Sequence, residues 1–350
     1  MARMKQRTAT TALIAVVVGL CLVGAVLAFT GNDQSTADQV GSSPFPGASP
    51  SRSATPAPVP YLAPAPPADD KLYLGVDSDA SRVSDFDREV GIKQPAILGG
   101  YTAMDGSLGG LLQEMSTPGH AIPMLSWQVD FTGNQIVDGK LDDYLKAQAA
   151  AVLAYAQPVF IRPDWEMNGN WSPWDYPQVT PAEYVAAWRH IVDIFNRVGA
   201  TNAAFVWCPN VGDFTPDPVS DWYPGSNYVD WIGVDAYPAN GSTKTVVEPD
   251  GLNQIAGYAA ALGKPLMLAE WGETLPGTDS DWVFKLVFQW ADRYPATVKA
   301  LIYFNYGVPT RDHLLDDLPV GAKSFAALVK GDQNILFSVP VVPGLPSRIP

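Results

Sequence analysis

Between residues 71 and 330 the chain reads as short apolar runs, each bounded by turn residues and followed by a longer amphipathic stretch. The runs are LYLGV (72–76), PAILGG (95–100), AIPMLSW (121–127), PVFIRP (158–163), AAFVWCP (203–209), YVDWIGVDAY (228–237), PLMLAEW (265–271) and KALIYFNY (299–306). Most are apolar throughout rather than alternating, the pattern of parallel strands buried on both faces. Helical stretches fall between them, clearest in TPAEYVAAWRHIVDIFNRVG. There Thr180 caps, Pro181 fits the first helical position and Glu183 completes a capping box. Tyr184, Trp188, Ile191, Phe195 and Val198 then recur at steps of three and four, giving one apolar face, and Gly199 ends the helix. Residues 141–156, 252–263 and 280–294 behave similarly.

Eight such strands alternating with helices over about 260 residues predict an α/β fold, a single (β/α)8 TIM barrel. A doubly wound sheet is the alternative, but no glycine-rich phosphate fingerprint follows the first run. No period of 20–50 residues repeats, which excludes solenoids. In a barrel, chemistry belongs at the C-terminal ends of the strands, and every candidate residue can be filtered by that position.

The flanks read differently. Arg3, Lys5 and Arg7 precede an apolar run from Ala12 to Phe29, the order of an export signal, so residues 1–29 are a signal peptide or signal anchor. Val26-Leu27-Ala28 offers a cleavage site, and a run of about 18 residues is also long enough to tether the chain to a membrane. Cys21 follows Leu20, too bulky for a lipoprotein site. Residues 30–70 are rich in Pro, Ser and Ala and predict a semi-extended linker. Residues 331–350 form a second Pro-rich stretch, expected to pack loosely or not at all. The domain assignment is therefore 71–330 for the barrel, in an extracellular or cell-surface protein expected to be a monomer. The net charge of −14 argues against a nucleic-acid partner. Cys208, the one cysteine of the barrel region, has no partner for an internal disulfide and reads as a small strand residue.

Two acids pass the strand-end filter at strands four and seven: Glu166, just beyond PVFIRP, and Glu270, closing PLMLAEWG. Glycoside hydrolysis needs two such carboxyl groups, one protonated to assist the leaving oxygen and one ionised to attack the anomeric carbon or activate water. Aromatic neighbours desolvate Glu166 and favour its protonated form, while Arg162, on the same strand face, holds an ionised acid nearby. Sugars present apolar C–H faces and hydroxyl edges, so aromatic platforms and amide forks belong around the acids. Trp171, Trp174, Asn168 and Asn170 offer those groups, and Trp127 and Trp207 extend the candidate cleft. Trp188 and Trp290, on helices, read as core. Asp77, Asp79 and Asp235 also sit at strand ends, as substrate contacts or helix caps.

The stretch RPDWEMNGNWSPW (162–174) resembles the acid/base motif of glycoside hydrolase family 26, which usually reads Arg-Pro-x-His-Glu-Met-Asn-Gly-x-Trp. AIPMLSW, VDWIGVDAY and LAEWG resemble that family's strands three, six and seven. The likeness runs from Leu72 to about Tyr306. It implies a retaining β-glycanase on a (β/α)8 barrel, most often a β-mannanase and in some members a β-glucanase or β-xylanase. It further implies Glu166 as acid/base, Glu270 as nucleophile and Tyr237 as the hydrogen-bond partner of the nucleophile. Arg162, Asn168 and Trp171 match motif positions, and Tyr303 and Asn305 are candidates for the sugar floor. The family histidine is Trp165 here. An indole can donate but not accept a hydrogen bond, which bears on sugar preference more than on the reaction.

His120, His190 and His313 form no close pair, so no metal site is expected, and no cofactor is implied. His190 reads as a helix-surface residue. The absence of a Gly-x-Ser-x-Gly elbow disfavours an esterase of the α/β-hydrolase kind. The expected function is a two-glutamate retaining glycoside hydrolase acting on a polysaccharide or oligosaccharide, β-mannan first and β-glucan next. The alternative is a non-catalytic carbohydrate-binding protein on an inactive barrel.

Overall fold

The computed structural model describes residues 63–338 except 69, 103–105, 116–120, 130–133, 213, 274–278 and 309–310. The expected export segment (1–29), most of the expected linker and the end of the C-terminal stretch lie outside the described residues. Eight parallel strands, β1 (Leu72–Asp77), β2 (Ile97–Tyr101), β3 (Ile122–Trp127), β4 (Val159–Pro163), β5 (Ala203–Trp207), β6 (Trp231–Ala236), β7 (Leu266–Trp271) and β8 (Val298–Phe304), pair in chain order. The β1–β8 pairing, Tyr73 opposite Ala300 through Asp77 opposite Phe304, closes them into a barrel. Around it lie α1 (Val83–Val90), α2 (Leu108–Glu114), α3 (Asp142–Tyr155), α4 (Pro181–Val198), α5 (Lys244–Val247), α6 (Leu252–Leu262), α7 (Trp282–Ala291) and α8 (Pro319–Gly331). Helix α4 carries the expected capping box, with Thr180 and Glu183 bonded reciprocally, and ends at Gly199 with φ 87°. Among the described residues, no helix is long and apolar enough to cross a membrane.

Strand side chains alternate between two apolar layers. Tyr73, Ile97, Met124, Phe160, Val206, Trp231 and Ile302 fill the barrel interior. The residues between them, Leu74, Leu98, Leu125, Ile161, Phe205, Ile232 and Leu301, pack outward against the helices. The packed unit is wider than 71–330. Ala63 is buried in the interior layer, and the carbonyls of Pro64 and Ala65 accept from Trp231 Nε1 (3.4 Å) and the Tyr73 hydroxyl (3.1 Å). The end of the Pro-rich linker thus covers the N-terminal mouth. At the other end Ile335–Leu336 pairs with β1, so the described start of the C-terminal stretch is ordered against the sheet.

One irregularity matters for the site. Val234 pairs with Leu268, but the next residue, Asp235, pairs with Glu270. On the far side Leu268 pairs with Leu301 and Trp271 with Tyr303. Ala269 is therefore an extra residue of β7 against both neighbours, a β-bulge. Strict alternation from Met267, which faces the interior, would send Glu270 outward among the helices. The bulge turns it inward and gives the outward position to Trp271, which packs on Phe284, Phe288 and Phe325.

Candidate active site

The top of the barrel interior is polar where the layers below are apolar. Asp77, Tyr101, Ser126, Arg162, Cys208, Asp235 and Glu270 face one another there. Arg162 is the hub, fully buried, and its guanidinium forks onto Asp235 with Nη1 at 3.0 and 2.9 Å from the two carboxylate oxygens. Nη2 donates to Glu270 Oε1, and Nε and Nη2 donate to Ser126 Oγ at 3.1 and 2.8 Å. Burial works against the Arg162 charge, but Asp235 and Glu270 outweigh it and push its pKa further up. A charge of this kind, out of water, persists only because its donors are matched. The ring of Trp165 covers the guanidinium at 5.1 Å, a cation–π contact.

Glu270 is held on both oxygens. Oε1 accepts from the Tyr101 hydroxyl at 2.7 Å as well as from Arg162, and Oε2 accepts from Tyr237 at 2.7 Å. Three donors thus converge on Glu270 and fix both of its oxygens.

Glu166 leaves the tip of β4 in an unusual backbone conformation. Asp164 and Glu166 have φ of 37° and 57°, the left-handed region that costs a side-chain-bearing residue about 1 kcal/mol or more. Glu166 N donates to Cys208 O at 2.7 Å and Asp164 N to Trp127 O, so the strained tip is tied to both neighbouring strands. Asn168 grips the backbone of Asn210 from both sides, accepting from its N at 2.9 Å and donating to its O at 2.8 Å. Asn210 Nδ2 then donates to Glu166 Oε1 at 2.8 Å, and Trp171 Nε1 donates to Oε2 at 2.8 Å. Asp175 Oδ2 accepts from the backbone N of Trp171 and Ser172, fixing that loop. Burial and the neighbouring Glu270 push the Glu166 carboxyl up from 4.5 to about 8, against the Trp171 hydrogen bond.

One oxygen from each of Glu166, Asp235 and Glu270 lies within 4.8 Å of the others. Inverting hydrolysis needs carboxyl groups about 6.5–9.5 Å apart, and retaining hydrolysis about 5–5.5 Å. The close pair, one acid proton-bearing near neutrality and one held by donors, matches the second geometry. A metal ion among the three acids would have to share them with Arg162, whose guanidinium already occupies both oxygens of Asp235.

Several residues expected in the cleft sit elsewhere. Trp127 and Trp207 are fully buried in the outer layer, donating to Tyr144 OH and Trp222 O, and Tyr303 is buried there against Trp271 and Phe284. Each directly follows an inward residue, Ser126, Val206 and Ile302, so alternation points it away from the interior. Asn305 is a joint, with Nδ2 on Ser78 Oγ at 3.4 Å and Oδ1 accepting from Leu315 N at 2.9 Å. Trp174 is buried behind Trp165, its Nε1 donating to the Trp165 carbonyl at 2.7 Å. Trp171 is the open platform, 42% exposed, with Phe214 (45% exposed) edge-on at 5.1 Å. Asn170 is exposed. His190 bridges α4 to Asp142 of α3 at 2.7 Å, away from the site. Sequence reasoning missed Tyr101, Ser126, Asn210 and Phe214. Tyr101 and Asn210 each lie an even number of residues from an inward position, Ile97 and Val206.

The model of the family described as "Glycosyl hydrolase family 26" matches residues 129–296, which include both glutamates, Arg162 and Tyr237. Over those residues the chain is similar to glycosyl hydrolase family 26. The chain is 33% identical over 176 residues to endoglucanase H of Acetivibrio thermocellus, covering 47% of this chain and 19% of that protein. It is 31% identical over 155 residues to mannan endo-1,4-beta-mannosidase A and B of Caldalkalibacillus mannanilyticus, covering 41% of this chain and 28% of that protein. The chain thus spans less than a third of the length of either relative. A modular endo-β-1,4-mannanase from Cellulomonas fimi shares the fold, with a TM-score of 0.60 at 20% identity over 80% of this chain and 76% of that structure.

Proposed function

We propose that this chain is a family 26 glycoside hydrolase, a retaining β-glycanase in which Glu166 is the acid/base and Glu270 the nucleophile. The observation that carries the reading is the facing pair of carboxyl groups within 4.8 Å, with opposite surroundings. Glu166 gives its proton to the glycosidic oxygen as a Glu270 oxygen attacks the anomeric carbon, so the leaving sugar departs as an alcohol and a glycosyl ester remains. Glu166, now ionised, takes a proton from water, whose oxygen attacks the same carbon and frees Glu270. Tyr237, Tyr101 and Arg162 position the nucleophile, Asn210 and Trp171 position the acid, and the exposed Trp171–Phe214 pair supplies an apolar face for a sugar ring.

β-Mannan is the first substrate and β-glucan the second. Two of the relatives named above are a mannan endo-1,4-beta-mannosidase and an endoglucanase, and a beta-1,3-xylanase of a Vibrio species is 25% identical over 122 residues. We also propose that the chain is exported, working outside the cell or at its surface either free or tethered through residues 12–29, as a monomer. The test is reducing-end release by the full chain from β-mannan, mixed-linkage β-glucan, β-xylan and, as a control, α-mannan, with Glu270→Ala alongside. Turnover of one β-glycan that the variant abolishes, with the new anomer retained by proton NMR, supports the reading. Binding of a glycan that Glu270→Ala leaves intact, without turnover by the wild-type chain, refutes it in favour of a binding barrel.

A further inference from the structure

Asp77, at the end of β1, is fully buried, and its place at the site is not explained by the two-glutamate chemistry. Its Oδ2 lies 3.1 Å from the Tyr101 hydroxyl. Its Oδ1 has no hydrogen-bond partner among the described residues and fills the space above Gly99, where an added Cβ would stand 1.2 Å from it. The Tyr101 oxygen meets three groups: Glu270 Oε1 at 2.7 Å, Asp77 Oδ2 at 3.1 Å and Arg162 Nη2 at 3.3 Å. Arg162 can only donate, and a phenol has one proton. An ionised nucleophile at 2.7 Å takes that proton. If Asp77 were also ionised, its lone pair would face the Tyr101 lone pair, and a buried carboxylate would be left with one oxygen unbonded, a costly arrangement.

From this proton count we propose that Asp77 is a neutral acid that donates to the Tyr101 hydroxyl, committing the single Tyr101 proton to Glu270. Asp77 is then a positioning residue acting through Tyr101. The unpartnered Oδ1 is its carbonyl oxygen, which tolerates burial far better than a charged one. The groups facing Asp77 agree. Burial is the largest influence and raises its pKa well above the usual carboxylate range; Arg162 of β4 opposes this, Glu270 of β7 adds to it, and the Tyr101 bond of β2 opposes it again. Tyr306, beyond β8, is the remaining titratable neighbour, and burial and the acids around it raise its own pKa, so it stays neutral. The relay Asp77–Tyr101–Glu270 links the ends of β1, β2 and β7 and leaves the nucleophile with donors only.

The role of Glu270 rests on the β-glycanase reading, but the protonation of Asp77 can be tested without substrate. Infrared difference spectra of the full chain at neutral pH, wild type minus Asp77→Asn, are expected to show the loss of a protonated-carboxyl C=O stretch. Loss of carboxylate stretches in its place overturns the proposal. On whichever β-glycan is turned over, Asp77→Ala is expected to lose about tenfold or more in kcat with little change in KM. Asp77→Asn should recover most of that loss, because its amide N–H replaces the acid O–H as donor. Equal losses in the two variants, or an acid limb of the pH profile displaced by a pH unit or so in Asp77→Asn, would mean that a negative charge had been removed and overturn it. If no glycan is turned over, the infrared result stands alone, so failure of the relay and failure of the glycanase reading are told apart.

Discussion

Replacing Glu270 by Gln isolates the charge that the nucleophile carries before it is glycosylated and lacks afterwards. The wild-type Glu166 carboxyl is raised to about 8, by burial first and by the Glu270 charge second. With oxygens within 4.8 Å and an effective dielectric of about 20, two unit charges repel by roughly 3 kcal/mol, or about two pH units. Glu166 is half-buried, and water on its open side screens part of this, so the expected fall is about 1–2 pH units. The variant is isosteric and keeps an acceptor for Tyr101 and Arg162 on its carbonyl oxygen, while its NH2, in place of Oε2, can donate to the Tyr237 oxygen. Carbon-13 NMR of δ-labelled glutamate, with Glu166→Gln to assign the resonance, follows the titration directly. A fall of this size means that forming the glycosyl ester itself turns Glu166 from an acid into a base, since the ester removes the same charge. If Glu166 titrates unchanged in Glu270→Gln, burial alone sets its proton affinity, and the reversal of its role must come from the bound sugar.

The remaining tests concern stability, the donors to Glu166 and the misplaced aromatics. Because the folded Glu166 pKa lies above its ordinary 4.5, its contribution to stability is full below that value and is lost as pH rises toward about 8. Glu166→Gln, which cannot ionise, should therefore gain Tm relative to wild type between pH 4 and pH 9; a difference independent of pH refutes the reasoning. Trp171→Phe removes the donor to Glu166 Oε2 while keeping a ring, and should lower kcat about tenfold. The alkaline limb of its pH profile should also move upward, since the lost bond favoured the ionised form. A kcat loss with an unmoved alkaline limb would leave Trp171 as a sugar platform only. Trp207→Phe should lower unfolding free energy by about 2 kcal/mol in urea titrations while leaving KM unchanged. A raised KM in that variant would return Trp207 to the cleft.

The barrel was legible because its strands are uniformly apolar and its helices carry their own start and stop signals, as at Thr180 and Gly199. Arg162 and Glu166 were legible for a second reason: Arg162 lies two residues from Phe160, so strand alternation aims it inward, and Glu166 follows directly on the C-terminal end of that strand. The same rule, applied to every strand, would have removed Trp127, Trp207 and Tyr303 from the cleft and added Tyr101 and Asn210. Aromatic content near a strand end was too blunt a signal, because the outer layer of a barrel also needs large side chains. Asn168 was found but misread; its amide serves the Asn210 backbone rather than a sugar, a pairing that depends on two loops meeting and has no local signature. Glu270 is the opposite case. Alternation from Met267 would have rejected it, and nothing in LMLAEW announces the extra residue that brings it in.

That extra residue has a consequence for how the site can be lost or moved. The facing of Glu270 is written in the residue count of β7, not in the identity of its side chains. Adding one residue opposite Ala269 in both β6 and β8 would restore regular pairing and exchange the fates of two adjacent residues, sending the carboxylate among Phe284, Phe288 and Phe325 and swinging the Trp271 indole over Arg162, whereas deleting Ala269 would leave both facings as they are. Transplanting β7 onto another barrel would carry the nucleophile with it only if the bulge were carried too, in register with both neighbours.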